Sequence, residues 1–179
     1  MVLDALLPTA VTDLRGSVET LGGLLDDLAA VVMATPPTVY AATPAVSVSG
    51  SVGKHLRHTL DHVASFLEAS GTNPLDYDRR QRGTRVEVDP AEALSTICRL
   101  QRGLERMAGR SQDERVCVHT QLTPAGKTIV SSSTLGRELA FVVSHTIHHQ
   151  ALIALLLANA RDLTLPPRFG YAPSTPLAH

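Results

Sequence analysis

From Leu135 to Ala160 the chain runs without a proline through a stretch dominated by Leu, Val, Ile and Ala, with Ser144, His145, Thr146, Ile147, His148, His149 and Gln150 at its middle. A run of that length and composition folds as a helix. Each helical residue advances by about 100°, so His145 and His149 lie one turn apart on one face, while His148 is rotated off their axis. Two imidazoles at that spacing can share one divalent metal. A pair alone holds an ion weakly, which is a specific constraint on the fold: another element has to bring a further ligand to this face.

A facing element is available. Apolar residues at steps of three and four predict a helix from near Ser49 or Ser51 to about Ala69, carrying Val52, Leu56, Leu60, Val63, Phe66 and Leu67 on one side. His55, His58 and His62 recur along it at the same steps and therefore share a face. Two further helices are predicted. One covers 10–34, with Thr12 or Asp13 as its cap and Pro36-Pro37 as its stop; the other covers 90–109, opened by the Asp89-Pro90-Ala91-Glu92 cap and ended by Gly109. Residues 35–48 read as an irregular crossing segment, and the charged stretch 72–90 as a solvated loop. Residues 115–122 and 127–131 flank Thr123-Pro124-Ala125-Gly126 and read as a small hairpin. The expectation is one all-α domain over 1–179, a four-helix bundle with a small β-hairpin before the last helix.

Composition narrows the function. Aromatics are 3% of the chain and tryptophan is absent, so the core is built from Leu, Val, Ala and Ile. A net charge of -1, with no basic stripe, argues against nucleic acid as a partner. The apolar run 151–158 is too short to span a bilayer, so no membrane partner is expected. Asp4 and Asp13 stand where a signal peptide would have a basic region, and a cytoplasmic location follows as the expectation. Cys98 and Cys117 are too few for a disulfide framework; they read as partly buried reduced thiols.

Three imidazoles from two facing helices would leave positions open on zinc, nickel, iron or copper. The residues by themselves leave the choice among His55, His58 and His62 open. The segment Val52-Gly53-Lys54-His55-Leu56-Arg57-His58-Thr59-Leu60-Asp61-His62, combined with His145-Thr146-Ile147-His148-His149-Gln150, resembles the DinB/YfiT-like metal-dependent proteins over roughly residues 10–160. That resemblance implies an up-down-down-up bundle, commonly dimeric, with three histidines around a divalent metal, zinc or nickel ahead of iron. In the family pattern the first histidine precedes a large apolar residue by two turns. His58 followed by Phe66 matches this, so the resemblance carries the ligand set His58, His145 and His149, with His62 as the main competitor. Asp76-Tyr77-Asp78-Arg79-Arg80, Arg137-Glu138-Leu139 and Phe169-Gly170-Tyr171-Ala172-Pro173-Ser174-Thr175 are similar to a subset of that family for which the resemblance supplies no reaction.

An open-sided metal generates hydroxide or thiolate near neutral pH, so the expected activity is that of a metal-dependent hydrolase or thiol S-transferase on a small molecule. The alternative is a non-catalytic metal-binding or stress-response protein. Glu138, two turns before His145 on the same face, is the candidate catalytic residue, with a first-turn helix acid as its plain reading. Asp61 reads as the partner of a solvent-facing ion pair with Arg57. Arg79, Arg80, Arg82 and Arg85 lie on a loop able to reach the site, where one could grip an anionic group; Tyr77 and Asp78 are weaker candidates.

Overall fold

A computed structural model describes residues 13–43, 50–69, 73–79, 81–160 and 163–176. Its elements are α1 (Arg15–Ala34), α2 (Pro37–Ala41), α3 (Val52–Leu67), β1 (Leu75–Asp76), α4 (Pro90–Met107), β2 (Arg115–Gln121), β3 (Thr128–Thr134) and α5 (Leu135–Leu157), with a 3-10 turn at Arg85–Glu87.

Local chemistry sets the helix boundaries. The Ser51 hydroxyl accepts the Lys54 amide at the start of α3, the Asp89 carboxylate accepts the amides of Ala91 and Glu92 at α4, and Thr134 accepts that of Arg137 at α5. At α1 the capping residue is Leu14 and offers no side-chain bond, while the carboxylate of Asp13 accepts the Arg15 amide; Thr12 lies outside the described residues. The α3 helix stops at Leu67, short of Gly71, which also lies outside them.

The four long helices close a ring in which α1 and α3 each pack against both α4 and α5. Leu21, Leu25 and Leu28 of α1, Leu56, Val63 and Phe66 of α3, Ala93, Ile97 and Leu104 of α4, and Leu139 and Val142 of α5 fill its centre, each at most 1% exposed. Burying such side chains is the main favourable term in folding. By length and composition α5 is also apolar enough to cross a membrane, which the run 151–158 alone did not reveal. Here it is packed against α1 and α3.

The all-α expectation is overturned. Among the described residues, five α-helices are accompanied by a three-stranded mixed sheet of order β1-β2-β3, and the architecture is α plus β. Within the stretch expected to be a solvated loop, Leu75 and Asp76 pair in parallel with Val118 and His119, so the hairpin has a third strand from a distant part of the chain. It is not an ornament either: Leu75, Val116 and Val118 belong to the main core. The physical reason is the alternation along β2, which turns Val116 and Val118 inward and Cys117 outward. The antiparallel β2–β3 ladder runs from Arg115 opposite Thr134 to Gln121 opposite Thr128.

The crossing segment differs from expectation too. Pro36-Pro37 ends α1, and Pro37 then opens α2 as its first residue, a position where the missing N–H costs nothing. Tyr40 of α2 is fully buried and donates its hydroxyl to the carbonyl of Val86 at 2.6 Å, tying this segment to the 3-10 turn. A Cβ on Gly53 would sit 2.1 Å from the Glu87 carbonyl oxygen, so only glycine lets α3 pack this closely on that turn. In the tail Phe169 is buried and Tyr171 exposed, so one of the two aromatics anchors it.

Candidate metal centre

The packing of α3 on α5 brings both histidine clusters together. One ring nitrogen from each of His58, His62 and His145 lies within 4.8 Å of the other two, and this trio can hold a metal ion. Ligand atoms on one tetrahedral zinc lie about 3.4 Å apart for bonds of about 2.1 Å, so small side-chain rotations close the set. The chemistry of the donors fits as well, since neutral imidazole is the ligand form. The Nδ1 atom of His62 is 3.0 Å from the carbonyl oxygen of His58. A carbonyl only accepts, so Nδ1 carries the proton and the Nε2 lone pair is left for coordination.

Of the set carried by the resemblance, His58 and His145 fall in this trio, and His149 stands beside it. The ring centroid of His149 is 4.7 Å from that of His58 and 4.5 Å from that of His145. Its Nδ1 lies 3.1 Å from the Nδ1 of His55, one donating to the other. Burial pushes the His149 imidazole down to about 3, and the neighbouring His145, His55, His148 and His62 add to the effect, so it is neutral at physiological pH. His148 is exposed, as its rotation off the axis requires, with its ring edge-on to that of His149.

Glu138 is 1% exposed on the side of the trio away from His149. Its carboxylate accepts hydrogen bonds from Tyr77 Oη at 3.1 Å, Ser133 Oγ at 2.6 Å and Arg137 at 2.8 Å. Its link to the histidines runs through Tyr77, whose ring stacks on His62 with centroids 5.0 Å apart and an interplanar angle of 9°. Burial, then the charge and hydrogen bond of Glu138, push the Tyr77 phenol up, so it remains a donor. Phe141 completes this wall, 5.0 Å from Tyr77 and 5.7 Å from His145, with the Arg137 guanidinium over its outer face.

On the opposite side a cleft of about 550 Å³ opens against His55, His58 and His149, and is also lined by Lys54, Arg57, Arg82 and Glu87. Arg57 is buried and bridges a half-buried Asp61 and a buried Glu87, so the expected Arg57–Asp61 pair exists, but as part of a trio that reaches into the protein. Of the four loop arginines, Arg82 reaches the cleft. Arg79 lines a separate depression with Asp61 and Asp76, Arg85 pairs with Asp89, and Arg80 lies outside the described residues. Cys98 and Cys117 are exposed, not partly buried.

In the sequence Tyr77 is a weak candidate, and neither Lys54 nor Phe141 stands out. Tyr77 becomes visible only through the parallel β1–β2 pairing, which holds the residues after Leu75 against the histidines. Lys54 carried one available signal, its place one residue before His55.

No family model matches the chain, and no solved structure matches it. Among curated proteins it is 29% identical over 128 residues to FK506-binding protein 5 of Rhizopus delemar, a similarity that takes in 67% of this chain and 33% of that protein. The chain thus spans about a third of the length of the curated relative it matches, and that likeness lends no support to an all-α reading.

Proposed function

We propose that this protein binds a divalent transition metal, zinc or nickel, between α3 and α5, and uses it in a hydrolytic or thiol-transfer reaction on a small molecule. The observation that carries the reading is the convergence of His58, His62 and His145 nitrogens within 4.8 Å beside an open cleft. A bound metal would supply an activated water or thiol near neutral pH. His58 belongs to both the trio and the cleft lining, which supports a reaction between a metal held by the trio and a substrate seated in the cleft. The His55–His149 pair lines the same space and is suited to pass a proton between the cleft and the interior. Glu138 acts as a positioning residue: its hydrogen bond holds Tyr77 in the stack that fixes the His62 ring.

Kinship with the DinB/YfiT-like proteins is part of this proposal and rests on the histidine motifs of α3 and α5. A homodimer in the cytoplasm is the accompanying expectation.

The test is turnover by protein reconstituted with zinc or nickel, offered ester and amide substrates with and without a thiol cosubstrate. Activity that needs the metal and is lost in His58→Ala supports the reading. Full metal occupancy with no turnover in either arm contradicts the enzymatic part and leaves a metal-binding protein.

A further inference from the structure

The cleft beside the histidines is cationic in a way that the metal reading does not use. Among the described residues, Lys54, Arg57 and Arg82 line it against one carboxylate, that of Glu87. Arg57 is already committed to Asp61 and Glu87, and Glu87 also accepts the Gly83 amide at 3.0 Å. Lys54 and Arg82 are different: both are exposed, and among the described residues neither takes part in an ion pair. Two uncompensated cations on one concave surface repel each other until an anion enters. They come from separate elements, the first turn of α3 and the loop before the 3-10 turn, so it is the fold that converges them. The positive end of the α3 dipole adds to the same field.

We propose that this cleft is an oxyanion subsite, in which Lys54 and Arg82 hold the carboxylate or phosphate of a small anionic substrate with its remainder against His55, His58 and His149. This deepens the function proposed above, resting on it for the word substrate. The guanidinium of Arg82 supplies a two-pronged grip and the Lys54 ammonium a point charge, an arrangement suited to either anion. A volume of about 550 Å³ limits the ligand to a small molecule.

The test uses metal-free protein titrated with succinate in one arm and inorganic phosphate in the other, each against sodium chloride of matched ionic strength, with calorimetry as the readout. Saturable binding of one or both anions is expected, weakened by about tenfold or more in Lys54→Met and in Arg82→Met. Arg99→Met, outside the cleft, is expected to leave it unchanged. Binding in the succinate arm alone assigns a carboxylate, and in the phosphate arm alone a phosphoryl group. No saturation in either arm, or binding that survives the double Lys54→Met/Arg82→Met variant, overturns the proposal. Metal stoichiometry measured on the unmodified protein separates the two readings. Metal bound by it without anions sinks only the subsite, whereas anions bound with no metal taken up sink only the metal centre.

Discussion

The imidazoles of His62 and His145 lie face to face across the α3–α5 interface, their centroids 3.8 Å apart and their planes 18° from parallel. The two rings are in face-to-face contact, so each fixes the orientation of the other. Tyr77 continues the stack on the far side of His62, and the Glu138 carboxylate holds its hydroxyl. Metal ligation is therefore expected to depend on a column of rings as well as on the ligands.

The ligand set is the first thing to resolve by substitution. His58→Ala, His62→Ala and His145→Ala are each expected to weaken zinc binding by about a hundredfold or more, since each removes one of three donors. His148→Ala, at an exposed ring, is expected to change it by less than about threefold. A competition titration with a chromophoric chelator reads both. Equal losses in all four variants would remove the geometric distinction. The His149→Ala variant discriminates between His149 and His62 as the third donor.

Tyr77→Phe removes one hydrogen bond to a buried carboxylate while keeping the ring stacked on His62. A loss of about 1–2 kcal/mol is expected, seen as a fall in Tm of about 2–8 °C for a chain of this size. Glu138→Ala should cost more, because it strands the part-buried hydroxyls of Tyr77 and Ser133. Thermal unfolding of both variants is the check, and an unchanged Tm in Glu138→Ala would mean that the network contributes nothing.

The tail is locked by a glycine. Gly170 has φ of +78°, its amide donates to Gln150 Oε1 at 3.2 Å, and a Cβ there would lie 2.6 Å from the backbone of Ala151. Gly170→Ala is expected to cost about 2 kcal/mol or more, from left-handed strain and the collision with α5. Limited proteolysis should then cut near Phe169 before the rest of the chain. Protection equal to that of the unmodified protein would contradict this docking.

Burial, followed by the charges of Asp89 and Glu87, pushes the Tyr40 phenol well above its ordinary value of 10. The folded state thus holds that proton more tightly than the unfolded state. The stabilisation is complete below about pH 10 and is lost as pH rises above it. In an ultraviolet alkaline titration, Tyr40 is expected to ionise together with unfolding. Tyr40→Phe should flatten the fall in stability above pH 10, and an unchanged slope would contradict the assignment.

How much of this was legible in the sequence depends on the range of the interaction. The starts of α3, α4 and α5 follow from Ser51, Asp89 and Thr134, because caps are local chemistry. The face shared by His145 and His149 likewise follows from helix pitch alone. The sheet was legible only in part: alternation announced β2 and β3, but the two-residue strand at Leu75–Asp76 has no period of its own and exists through its pairing with Val118 and His119. The all-α expectation failed at that point. Choosing among His55, His58 and His62 was equally beyond a one-dimensional reading, since all three share a face of α3 and only the crossing of α5 decides which of them meets His145.

The central claim is a metal between α3 and α5, and the most direct measurement is the stoichiometry of zinc or nickel on protein without an affinity tag, with Tm recorded on the same samples. About one equivalent per chain is expected, with Tm raised by about 5–10 °C at a hundredfold excess over the dissociation constant, because a ligand bound only by the native state must stabilise it. Less than about a tenth of an equivalent, with Tm unmoved by added metal, would contradict the account and leave the six clustered histidines as packing.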